Sequence, residues 1–365
     1  MTKYIPSSIN IILRTAKTPS NPHGAENVKF VAMDKPAVFI IGGSGTEEGK
    51  HANHYAARME SLLRANNLQD KVNIYSVFFK FNSRTPFLDR VNLFRKSGRN
   101  PHITPDEAAQ FDIMMANEPE PKFIEKLFRI LIRPRIADKK KNRLDFNTAV
   151  DNISKLRIFL HCYGSSVILY LQKMMRAKML EIGYSTSETA LIQKNLLVIA
   201  HTPSAPIDKS DFTFLAFGSA EDETVEHYNI FNAYARIHSS ELKPSFFPKP
   251  YGNLFAVGDS KISGENEHHT TGLAPCENAV LTKDGGILFA AERNVIVNSL
   301  KSSLDGGPLP SVEELVSGPD IDFKQMLENG TRFIKAMVRD GRIARRNIKA
   351  KQIQQETYPT KSNTR

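Results

Sequence analysis

Cysteine is scarce: Cys162 and Cys276 are the two in 365 residues. Two thiols make no disulfide framework and are too few for a zinc site of their own. Long apolar runs are also absent. No stretch approaches the roughly 18 residues that a membrane span requires. Met1 to Arg14 holds one short apolar run, Ile9 to Leu13, behind Pro6. No small-x-small cleavage site follows it, so no signal peptide is expected. The cytoplasm is the expected location, with export by a route lacking a classical signal left open. No internal repeat of fixed period is present.

What is present suffices for a folded body. Apolar residues make up 41% and charged residues 24%, ordinary proportions for a globular chain. The length allows one large domain or two smaller ones. Lys and Arg number 49 against 39 Asp and Glu, a formal net charge of +10. That balance favours anionic partners: nucleic acid, an acidic lipid surface or an acidic protein.

Residues 1–33 are polar and rich in Ser, Thr, Asn and Pro around Thr18 to His23, and read as a flexible leader. Ala37 to Ile41 is a continuous apolar run between Pro36 and Gly42-Gly43-Ser44-Gly45, too short for a helix and suited to a buried parallel strand. A helix is expected over Lys50 to Ala65 and a strand over Val72 to Phe79, which together make a βαβ unit. Residues 80–150 read as an insertion or lid. Within it, Glu120 to Ile132 is amphipathic and expected to stop at Pro134, and Arg133 to Arg143 reads as a basic surface loop. The alternation resumes with strands at Leu156 to Leu160, Asn195 to Ala200, Phe212 to Phe217 and Asn253 to Val257. Helices are expected at Val167 to Leu180 and Glu223 to Ile237. A hairpin is expected from Ala279 to Leu281 and Gly286 to Ala291. The predicted fold class is therefore α/β: a mostly parallel sheet flanked by helices, spanning residues 34–330.

Residues 331–365 form a basic C-terminal helix and tail. From Arg332 to Lys351 there are eight Lys/Arg against one acid, Asp340. The bases step by three and four, which aligns them on one helix face. Arg339, Arg342, Arg345 and Arg346 are the candidate anion-binding residues, for an anionic membrane surface or a protein partner. Nucleic acid is disfavoured, because Phe333 alone among these bases offers a stacking face.

The sequence Ile158-Phe-Leu-His161-Cys162-Tyr163-Gly164-Ser165-Ser166-Val167 is an apolar strand, a sharp small-residue turn and an apolar helix. This resembles the nucleophile elbow of the α/β-hydrolase superfamily, whose pattern is Gly-x-Ser-x-Gly. Aligned by strand end and helix start, His161 falls on the first Gly, Tyr163 on the Ser and Ser165 on the last Gly. The resemblance spans about residues 36 to 300. It implies a hydrolase fold with an inserted helical segment, and hydrolysis of an ester, thioester or lipid substrate. It also implies an acid after a later strand, Asp222 with Glu221 second, and a base at His268 or His269. Gly42 and Gly43 stand where the family has one oxyanion amide, and Gly164 follows the elbow residue. Cys162 and Ser165 are the alternative nucleophiles. Because Tyr163 replaces the serine, a catalytically inactive scaffold that binds a partner or an anionic surface is the alternative reading.

No metal or cofactor is expected. His268 and His269 with Glu265 and Glu267 offer zinc or iron ligand types, but adjacent side chains point apart. Ser44 to His51 lacks the Gly and the Ser/Thr that a phosphate loop requires at its ends.

Overall fold

The computed structural model describes residues 6–42, 49–81, 121–140, 142–161, 164–201, 203, 210–218, 245–247, 253–256, 290–319, 321–332, 334–335 and 339. Among the described residues nine strands form one sheet in the order β2-β1-β4-β3-β5-β6-β7-β9-β8. They are β1 Pro6–Arg14, β2 Ala25–Val28, β3 Ala37–Ile41, β4 Asn73–Phe81 and β5 Leu156–His161. The rest are β6 Leu197–His201, β7 Thr213–Gly218, β8 Ser245–Phe247 and β9 Leu254–Ala256. Strands β4, β3, β5, β6, β7 and β9 run parallel. β1 pairs antiparallel with both β2 and β4, and β8 pairs antiparallel with β9. The α/β class expected from the sequence is what the chain adopts.

Side chains alternate between two cores. Phe39, Ile41, Ile158, Leu160, Val198 and Ala200 enter one; Val38, Ile40, Phe159, Leu197 and Ile199 enter the other. β3, β5 and β6 are buried throughout, so their sequences are continuous apolar runs instead of alternating ones. The first core lies beneath α2 Pro121–Leu127, α3 Arg133–Ile136, α4 Phe146–Ser154, α5 Gly164–Glu181 and α6 Thr186–Lys194. The second lies beneath α1 Gly49–Ala65, α7 Ala290–Leu304, α8 Val312–Val316 and the helical stretch 323–332.

Helix α1 buries Ala52, Tyr55, Ala56, Met59, Leu62 and Leu63, a stripe at steps of three and four. It stops where Asn67 takes a left-handed φ of 57° and Leu68 donates back to the Leu63 carbonyl. Two right-handed crossovers decide which helix covers which face. The β3-α1-β4 unit moves one way along the sheet and the β5-α5-α6-β6 unit moves the other, so their helices lie on opposite faces. β3 and β5 are neighbours, and the sheet's direction of travel reverses between them. Ligand crevices of open α/β sheets form at such a point, beyond the carboxyl ends of the strands.

Five expectations need correction. Residues 6–28 are not a loose leader but supply β1 and β2 at the sheet edge. Arg14 anchors this hairpin to α1: its Nε donates to Glu60 at 2.7 Å and its Nη1 to Asn53 Oδ1 at 3.0 Å. Of residues 80–150, positions 82–120 lie outside the described residues, whereas Phe123, Ile124, Leu127, Phe128, Leu131 and Ile132 are core. That portion belongs to the body and not to a lid. The chain also stays helical past Pro134. A π-helical turn at Phe128–Ile132 lets the Arg133 amide donate five residues back, to Phe128, and Pro134 then sits in the first turn of α3, where no donor is required. Arg135 is consequently buried, not on a surface loop. It donates to the carbonyls of Leu131 and Ala32, and burial pushes its pKa down to about 10. The exposed part of the basic stretch begins at Asp138. The expected hairpin ending at Ala291 also fails at its end, since Ala290 and Ala291 open α7. No helix among the described residues is long and apolar enough to cross a membrane.

Candidate functional site

The parallel strands end in register. Ile41 of β3 pairs with Leu160 of β5, His161 with His201 of β6, and His201 with Phe217 of β7. Phe217 in turn faces Phe255, and Phe255 faces Phe246. Period-two alternation sends His161 and His201 toward the layer of α1 and α7, on the same side as Phe159 and Ile199.

A buried polar row results. Tyr55 of α1 shares a 2.8 Å hydrogen bond with His161 Nδ1. The His161 and His201 rings lie 5.8 Å apart between centroids, tilted by 37°. His201 Nδ1 stands 2.9 and 3.1 Å from the two carboxylate oxygens of Glu292, in the first turn of α7. An ionised Glu292 can only accept, and with it the His201 Nδ1–H is the donor of this hydrogen bond. Relative exposures are 1% for Tyr55, 3% for His161 and 0% for both His201 and Glu292. Past His201 the row turns aromatic, with Phe217 stacked on Phe255 at 4.7 Å and Phe255 on Phe246 at 4.5 Å.

The β5–α5 junction is tight. Gly164 is the first residue of α5, and a Cβ added there would stand 2.8 Å from the Ile41 carbonyl oxygen and 3.5 Å from that of Gly42. Glycine is required because the start of the helix lies against the end of the neighbouring strand. Residues 162–163 join β5 to α5 directly at the reversal point.

The expected site residues fall as follows. Gly42 is buried at the end of β3, Gly164 opens α5, and Ser165 lies in its first turn. Tyr163, Cys162, Asp222, His268, His269 and Gly43 lie outside the described residues. Of the basic segment, Arg339 is described and exposed, and Arg332 pairs with Glu328 at 3.7 Å; Arg342, Arg345 and Arg346 lie outside. Among the described residues no group of three or more His, Cys, Asp or Glu is arranged to hold a metal ion.

Sequence reasoning passed over Glu292, His201 as its partner, and Tyr55. A signal existed for the first. Glu292 falls on the buried stripe of α7 with Val295, Ile296, Ser299 and Ser303. A carboxylate on an apolar stripe calls for a partner. No family model matches the chain, and no curated protein matches it in sequence.

Proposed function

We infer that the chain is a divergent α/β-hydrolase-like enzyme acting on an ester, thioester or lipid, with Tyr163 in the nucleophile's place. The observation that carries this reading is the β5–α5 junction: a short strand-to-helix turn beside the β3 end, at the sheet's reversal point, made tight by Gly164. The hydrolase elbow has that layout, with one oxyanion amide from the residue after the nucleophile and another from the loop after β3. Gly164 and the Gly42-Gly43 turn occupy those positions in the chain order.

In this reading His268 or His269 takes the phenolic proton as Tyr163 attacks the acyl carbon, and Asp222 orients the imidazole. The leaving alcohol or thiol departs with that proton. Water, deprotonated by the same histidine, then cleaves the tyrosyl ester. A free phenol has a pKa of about 10, so a base is required at neutral pH. An aryl ester is more reactive than an alkyl ester, which favours the second step.

The test is turnover of a panel of aryl esters by wild type, Tyr163→Phe, Cys162→Ala, His268→Ala and His269→Ala. Loss of the nucleophile or of the base should lower kcat on the order of a thousandfold or more. Retained turnover in Tyr163→Phe with loss in Cys162→Ala moves the nucleophile to the thiol. Equal turnover in all five proteins refutes the enzyme reading and leaves a scaffold that binds a partner or an anionic surface, through Arg339, Arg342, Arg345 and Arg346.

A further inference from the structure

We propose that Glu292 and His201 are positioning residues for the elbow turn, acting through His161. The proposal rests on the hydrolase reading for its catalytic consequence, but its structural content can be tested without turnover.

Glu292 is fully buried on a helix stripe otherwise made of apolar and small residues. An apolar pair of similar volume at positions 292 and 201 would pack there without the desolvation cost of a charge, and replacing a buried pair in that way is often neutral for stability or better. The carboxylate is matched to one feature, the Nδ1–H of His201. That hydrogen bond fixes the proton position and orientation of the ring, as a carboxylate does for the imidazole of a catalytic triad. Yet His201 is itself fully buried in the α1–α7 layer, so it is placed to support other groups and not to touch a substrate.

What it supports is His161. The two are paired directly across β5 and β6, and their rings are neighbours. His161 is held from the other side by Tyr55, so its ring is gripped between α1 and the His201–Glu292 pair. His161 is also the last residue of β5, immediately before residues 162–163. The last described residue of β5 is therefore held through its side chain by α1 on one side and by the His201 ring of β6 on the other. In a hydrolase, sub-ångström placement of the elbow governs the rate, and a misplacement of about 1 Å costs roughly a hundredfold. Substrate binding, made elsewhere, need not change.

Glu292→Gln and Glu292→Met separate the positioning role from a merely structural one. Both are measured for aryl-ester kinetics, for the urea midpoint, and for the histidine ring resonances of the whole protein, assigned with His161→Gln and His201→Gln. Glu292→Met, which leaves the buried His201 Nδ1–H without its acceptor, should lower the urea midpoint and lower kcat by about tenfold or more, with KM within about twofold. Glu292→Asp should recover part of the loss. In both Glu292→Gln and Glu292→Met the His161 ring signals should move, carried through the neighbouring His201 ring. His161 signals that stay at their wild-type positions overturn the proposal, as does a Met variant with wild-type kcat. If the wild type turns over no aryl ester, the hydrolase reading has failed. The coupling of Glu292 to His161 is then decided by the resonances alone.

Discussion

Replacing Gly164 with alanine tests the contact on which the elbow reading stands. The new Cβ would lie 2.8 Å from the Ile41 carbonyl oxygen, 3.3 Å from Ile41 Cγ2 and 3.5 Å from the Gly42 oxygen. The closest of these is a backbone atom, so no side-chain rotation relieves it. Nor can β3 move freely: Ile41 is paired to Val77 on one side and to Leu160 on the other. Relief requires about half an ångström of separation between the β3 end and the start of α5, an overpacking cost of about 1–3 kcal/mol. Gly164 is not among the residues with positive φ, so no backbone strain adds to this, and the better helix propensity of alanine offsets up to about 1 kcal/mol. The net loss is then roughly 1–2 kcal/mol. Followed by far-ultraviolet circular dichroism, the urea midpoint should fall by roughly 0.3–0.7 M. Gly306→Ala is the control, with a φ of 71° and nothing within 4 Å of the added atom. It should cost about 1 kcal/mol through the backbone alone and leave the elbow untouched. Aryl-ester turnover should therefore drop in Gly164→Ala and hold in Gly306→Ala. A Gly164→Ala protein with wild-type midpoint and turnover would refute the claim that close approach of helix and strand is what demands glycine here.

Other outcomes follow from the same packing. Tyr184→Phe removes the hydroxyl that donates to the Ile136 and Leu144 carbonyls, both at 2.9 Å, and should destabilise by about 1–3 kcal/mol in urea titrations. Arg14→Ala deletes the contacts of the β1–β2 hairpin to α1 and should speed limited proteolysis between residues 15 and 24 well before the core opens. Glu188 and Glu314 close capping boxes on Ser185 and Ser311. Hydrogen bonds from the Ser185 amide hold Glu188 below its ordinary pKa, and the Ser311 hydroxyl does so for Glu314. A folded pKa below the unfolded one means that stability is complete above about pH 4.3 and fades as pH falls through the lower folded values. Ser185→Ala and Ser311→Ala should both lower the melting temperature at neutral pH; Ser311→Ala should also flatten its acid dependence, whereas Ser185→Ala keeps the amide that donates to Glu188 and should change the slope less. An unchanged slope in Ser311→Ala would contradict the capping assignment.

Much of the sheet was legible in the sequence because its central strands are buried on both faces. Ala37 to Ile41 reads as β3 residue for residue, and β5, β6 and β7 deviate by a residue or two. The helix at Lys50 to Ala65 was equally plain, since its apolar steps of three and four match the buried face of α1. The first strands were not legible. β1 gains its definition from pairing with β4 more than sixty residues later, and local composition around Thr18 to His23 describes only the turn between β1 and β2. Pro134 misled for the opposite reason: the π-helical turn before it absorbs the missing donor.

The amino-acid sequence by itself determined that this is an α/β chain, which central runs are strands, and where a strand-to-helix turn interrupts them. Those are local properties, set by side-chain periodicity and by residues that permit sharp turns. Only the tertiary structure decided that β3 and β5 are neighbours at a reversal point and that Gly164 lies against Ile41. It alone decided that Tyr55, His161, His201 and Glu292 form one buried row. His161 follows Tyr55 by 106 positions, and Glu292 follows His201 by 91. Their meeting depends on strand order and register, which hydrogen-bond ladders between distant segments fix and no local pattern encodes.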